Sequence, residues 1–82
     1  MSPSYLKDLL MRGKEVQFDF GANRYVLKGH LYSSTTEFAF GRKYGEKVSS
    51  SYFDEFFYYR RVDGYSPSEM LQRVSSSCIS IC

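Results

Sequence analysis

At 82 residues and a net charge of +2 (11 Lys and Arg against 9 Asp and Glu), the chain has room for one small domain. It lacks the unopposed charge needed to drive nucleic-acid binding by counterion release alone, to adhere to a membrane surface or to imitate a polyanion. Hydrophobic residues make up 43% of the chain, enough for a folded core, and no apolar run nears the ~20 residues of a membrane span. Met1-Ser2-Pro3-Ser4 has neither the basic flank nor the apolar region of a signal peptide, so a cytoplasmic protein without a membrane partner is expected.

Residues 2–12 read as a helix. Ser2 is placed to cap it, Pro3 sits where a missing N–H costs nothing, and Leu6, Leu9 and Leu10 form one apolar stripe with Tyr5. Gly13 suits the left-handed position that ends a helix. The period then changes. Val16, Phe18 and Phe20 alternate with Glu15, Gln17 and Asp19, which places the rings on one sheet face over residues 14–20. A Gly21–Arg24 turn leads into a second strand over 24–32, with Tyr25, Leu27 and Leu31 on one side and Val26, Lys28, His30 and Tyr32 on the other. Residues 37–42 alternate again as a third strand, and 47–50 form a short fourth, so an antiparallel meander of three or four strands is expected.

Ser51 and Asp54 have the spacing of a capping box ahead of Phe53, Phe56 and Phe57, predicting a short helix over 52–60. After a Val62-Asp63-Gly64 turn, Ser66, Pro67 and Glu69 spell a second capping box, with a helix to about residue 74. The expectation is therefore an α+β domain over residues 1–74: an N-terminal helix, the meander sheet, and two short C-terminal helices packed on one face. Residues 75–82 are expected as a flexible serine-rich tail, with an edge strand as the alternative. The expected core is Leu6, Leu9, Leu10, Val16, Phe18, Phe20, Leu27, Leu31, Phe38, Phe40, Phe53, Phe56, Phe57, Leu71 and Val74.

No catalytic set emerges. The one histidine, His30, lies mid-strand on the polar side, away from the cysteines, and Asp54-Glu55 is explained by the charge preference of a helix start. Gly41…Gly45 lacks the Lys-Ser/Thr ending of a phosphate cradle. Cys78 and Cys82 offer neither a disulfide framework nor a metal site with His30, and are expected as free thiols, so no cofactor or metal is expected. Eight tyrosines and seven phenylalanines are more rings than so small a domain can bury fully, and tyrosine is enriched at recognition surfaces. Two clusters interleave rings with cations: Tyr58, Tyr59, Arg60, Arg61 with Tyr65 nearby, and Arg42, Lys43, Tyr44. Such residues anchor protein interfaces, and they also stack bases and hold phosphates. A non-enzymatic protein-binding module is thus the leading expectation, a homodimer among its forms, and a nucleic-acid-binding module is the alternative.

The run Val16–Tyr25, an alternating strand followed by a glycine-led turn and a tyrosine, resembles the opening of small uncharacterised proteins of Gram-positive bacteria and their phages. The run from Phe53 through Val62-Asp63-Gly64 to Glu69-Met70-Leu71 is similar to their closing pattern. The resemblance spans about residues 14–74 and rests on turn and cap chemistry, so it implies a small α+β fold and brings no catalytic residues. Size and the lack of an enzyme signature also resemble phage-encoded inhibitors of bacterial defence such as anti-CRISPR proteins, which would imply a host protein as partner.

Overall fold

The computed structural model describes residues 1–82. Helix α1 runs Pro3–Met11; Ser2 Oγ accepts the Tyr5 N–H at 3.2 Å, Pro3 opens the first turn, and Gly13 follows at φ +80°. Leu6, Leu9 and Leu10 are all buried, as their spacing requires. Four antiparallel strands follow as a meander: β1 (Glu15–Phe20), β2 (Asn23–Leu31), β3 (Thr36–Arg42) and β4 (Lys47–Ser50). A fifth, β5 (Ile79–Ile81), pairs antiparallel with β1, so the sheet order is β4-β3-β2-β1-β5.

Register sorts the side chains into two faces. Val16 sits opposite Leu27 and Phe40 opposite that, while Phe18 sits opposite Tyr25. These residues join Leu6, Leu9, Leu10, Phe38, Phe53, Phe56, Phe57 and Met70 in one buried cluster. Gly29 lets α1 close on this face: a Cβ there would stand 2.3 Å from the carbonyl oxygen of Leu10. The opposite face carries Glu15, Gln17, Asp19, Arg24 and Lys28 in a continuous polar network. Gln17 donates to Glu15 at 2.7 Å and accepts from Arg24 at 3.0 Å; Arg24 also meets Asp19, and Lys28 meets Glu15. The stems of these long side chains shield Val26, which is 2% exposed.

After β4 the chain turns through a wide π turn (Glu55–Tyr59), with the Arg60 N–H reaching back five residues to Glu55 at 3.0 Å. The wider turn carries Phe56 and Phe57 inward beside Phe53, whose ring stacks on Phe57 at 5.3 Å and meets Phe38 edge-on at 5.4 Å. Ser51 does not cap it. Instead Ser50 Oγ accepts the Tyr52 N–H, and no side chain caps the turn. The capping box of α2 (Pro67–Leu71) is complete, with Glu69 N–H on Ser66 Oγ and Ser66 N–H on the Glu69 carboxylate. That helix ends at Leu71, three residues earlier than its apolar pattern suggested.

Three further expectations differ from the structure. The sheet has five strands, because residues 75–82 form a 3₁₀ turn (Ser76–Cys78) and β5 in place of a tail. The edge strand given as the alternative is therefore the outcome; so short a strand is specified mainly by a partner some sixty residues earlier, and its own alternation is only a faint signal. Leu31 is 53% exposed: it lies at the far end of β2, leaning on Gly13 past the end of α1. Phe20, Leu71 and Val74 only flank the core, whereas Tyr25 and Met70 lie within it.

Candidate interaction surface

The Asp63-Gly64 pair makes a two-residue hairpin, with both residues at positive φ (55° and 86°) and Val62 and Tyr65 exchanging backbone hydrogen bonds. The hairpin aims the Asp63 carboxylate back at the sheet. Arg42 grips it from Nε and Nη2 at 2.9 and 3.0 Å, and the Tyr25 hydroxyl donates to it at 2.5 Å. The Arg42 and Tyr25 hydrogen bonds hold the Asp63 carboxyl below the usual carboxylate range. Burial, followed by that carboxylate, pushes the Tyr25 phenol up. Glu69 is lowered chiefly by the backbone N–H of Ser66.

All three arginines of the two sequence clusters are engaged within the molecule. Arg42 is held by Asp63, Arg60 meets Glu55 at 2.5 Å, and Arg61 meets Glu69 at 2.6 Å while donating to the Gly64 carbonyl. Tyr65 is half-buried, edge-on to Phe20 at 5.0 Å and covered by Arg73 at 5.1 Å. Tyr58 and Tyr59 are exposed, Tyr58 in a shallow depression with Met1, Pro3 and Leu71. Lys43 and Tyr44 lie in a different depression beside Asn23 and Arg24, with the lysine 5.5 Å from the Tyr44 ring. The eight residues therefore do not form one patch. Lys47, adjacent to them, donates to the carbonyls of Arg42, Lys43 and Gly45 and so braces the β3–β4 turn.

The largest concavity lies elsewhere, where α1, the β2–β3 turn and the segment after β4 meet. This groove has a volume of about 560 Å³. Its floor is Phe38 and Phe53, both buried; its walls are Met11, Tyr32 and Tyr52, exposed by 48%, 59% and 73%. Ser34, Thr35 and Thr36 supply hydroxyls, held in place by the Tyr32 N–H bond to the Thr35 carbonyl at 2.8 Å. Lys7 and Asp54 stand at the groove and neither is in an ion pair; Lys7 lies 5.9 Å from the Phe53 ring. Sequence reading missed this site because its residues come from three distant segments. The one local signal was Tyr32 on the polar side of β2, followed by a run of hydroxyl residues.

No protein family model, no curated protein and no solved structure matches this chain. No helix is long and apolar enough to cross a membrane. No three His, Cys, Asp or Glu side chains converge as a metal cluster.

Proposed function

We propose that the domain is a non-enzymatic protein-binding module whose groove takes an extended segment of a partner protein. The observation that carries the reading is the combination of Met11, Tyr32 and Tyr52, three large exposed side chains, around a concavity with an unpaired cation and an unpaired anion. Rigid tyrosines with polar tips and an adaptable methionine suit peptide contact. Lys7 and Asp54 would select a segment carrying both signs of charge, and the hydroxyls of residues 34–36 would meet its backbone. An inhibitor that occludes a host protein would act through the same surface.

Affinity capture compares the wild type with a Tyr32→Ser/Tyr52→Ser double variant of unchanged circular dichroism. At least a tenfold loss of a specific captured protein is the expected result. A set of captured proteins identical for both forms would overturn the groove reading. The nucleic-acid alternative is less well supported, because Arg42, Arg60 and Arg61 are each neutralised by a carboxylate of the same chain. It predicts salt-dependent binding to single-stranded DNA or RNA that is lost in Arg60→Ala/Arg61→Ala.

A further inference from the structure

We infer that β5 is a self-complementary edge through which two copies of this chain join their sheets, and that Cys78 and Cys82 form the cross-strand disulfides that lock the pair. The segment Cys78-Ile79-Ser80-Ile81-Cys82 reads the same in both directions. In an antiparallel pairing centred on Ser80, Ile79 of one copy meets Ile81 of the other and Cys78 meets Cys82.

The hydrogen-bond pattern of the sheet selects that register. Cys82 exchanges both backbone bonds with Glu15 of β1, at 2.8 and 3.1 Å. Backbone groups alternate in direction along an antiparallel strand, so Ser80 also faces β1, while Ile79 and Ile81 turn theirs to the open edge. Centring on Ser80 places Ile79 opposite Ile81 twice. Two bonds form at once, from each Ile81 N–H to the opposing Ile79 carbonyl. Two more follow when each Ile79 N–H leaves the 3₁₀ bond it makes to Ser76. Once the 3₁₀ turn has opened and Cys78 is extended, Cys78 and Cys82 form a non-hydrogen-bonded pair in the same register, with Cα atoms ~4.5 Å apart, inside the range a disulfide spans. Within one chain the two thiols sit at opposite ends of an extended segment, about 13 Å apart, beyond disulfide reach.

The occupant is a second copy because the edge fits itself and its own residues carry no charge, while the nearby Arg24 is paired with Asp19. From Val74 to Cys82 there is no charged side chain and no proline, whereas exposed edges are ordinarily guarded by such residues. Both thiols are free and exposed; alternation puts Cys82 on the face of Ser80, whose hydroxyl lies 3.4 Å from Arg24, and Cys78, which ends the 3₁₀ turn, joins that face when the turn opens. Three residues a side fall short of the ~1,000 Å² a stable interface clears, so the reduced pair is weak and the covalent link makes it persistent. The oxidant is a low-molecular-weight disulfide. A Cys78 thiolate attacks it, forming a mixed disulfide and releasing one small thiol. The opposing Cys82 thiolate then attacks the Cys78 sulfur and releases the second. Each protein disulfide thus consumes two protein thiols and one small disulfide and yields two small thiols.

The test oxidises the full chain with oxidised glutathione and reads mass by non-reducing electrophoresis and light scattering. Wild type should double from 9.6 kDa, reversibly with reductant. Cys78→Ser alone and Cys82→Ser alone should stay monomeric, while their equimolar mixture should cross-link at least about tenfold faster than either. Ile81→Pro, which removes an outward N–H that β1 does not use, should lose cross-linking tenfold while keeping both cysteines. Single variants that cross-link as fast as the mixture would overturn the inference, as would a Cys78–Cys82 link within one chain or glutathione adducts alone. Tyr32→Ser/Tyr52→Ser should cross-link like wild type, which separates this result from the groove reading.

Discussion

The Tyr25 hydroxyl on β2 donates at 2.5 Å to Asp63, thirty-eight positions along the chain. The tyrosine ring is buried within the aromatic layer, 6.1 Å from both Phe18 and Phe40, and its polar tip emerges at the sheet's end. Asp63 is held at positive φ by the hairpin and gripped by Arg42. One carboxylate thus joins β2, β3 and the connection between the π turn and α2. A buried phenol needs a partner for its hydroxyl, and this partner also fixes where the C-terminal half of the chain docks.

Tyr25→Phe keeps the ring and removes the donor. Its expected cost is about 1.5–3 kcal/mol, the range for a hydrogen bond to a charged group. The urea midpoint should fall with the slope unchanged, because the same surface is exposed on unfolding. A midpoint equal to wild type would mean the hydroxyl does not tie the two halves.

The same cluster sets a pH window. Asp63 and Glu69 titrate lower in the folded chain than the ordinary ~4 of carboxylates, so their contribution is present above that value and is lost as pH falls through their folded values. Tyr25 is raised above ~10, so its contribution is present below that value and lost as pH rises through its folded value. The contribution of these three groups to thermal stability should therefore be level between about pH 5 and 9 and fall away on both sides. Asp63→Asn should shrink the acid limb, and an unchanged acid limb would refute the assignment.

What the sequence disclosed follows from the range of each interaction. The stripe of Leu6, Leu9 and Leu10, the alternation of Val16, Phe18 and Phe20, and the Ser66–Glu69 capping box are local patterns, and each appears in the fold. β5 is specified by β1, Arg42 by Asp63, and the groove by residues 7–11, 32–38 and 51–54 together. Those depend on chain reversals that no window of adjacent residues contains. The arginine clusters are a mixed case: Glu55 and Glu69 stand only five and eight residues from Arg60 and Arg61, where helix-start and capping roles accounted for them, whereas Asp63 reaches Arg42 from twenty-one residues away.

Gly29→Ala tests the seat of α1. The new methyl would meet the Leu10 carbonyl oxygen at 2.3 Å, and backbone on both sides leaves no flexible atom to yield. The helix must shift away from β2, opening the contacts of Leu6 and Leu10. A loss of about 1–3 kcal/mol is expected from overpacking. Denaturant melts read it directly, and a stability within 0.3 kcal/mol of wild type (roughly the noise of such comparisons) would show that α1 does not rest on that glycine.

Removing residues 75–82 tests whether β5 belongs to the sheet in solution. The Glu15 N–H bonds to Cys82 and the Gln17 N–H faces Ser80 by the same alternation, whereas those of Val16 and Phe18 face β2. Truncation should therefore abolish hydrogen-exchange protection at Glu15 and Gln17 while sparing Val16 and Phe18. Stripping Ile79 from the flank of the core should cost about 1–2 kcal/mol as well. Protection is the sharper readout, because it distinguishes a lost strand from a general loosening. If Glu15 and Gln17 exchange freely in the intact chain, β1 is the true edge of the sheet, and the edge pairing of two copies would fail with it.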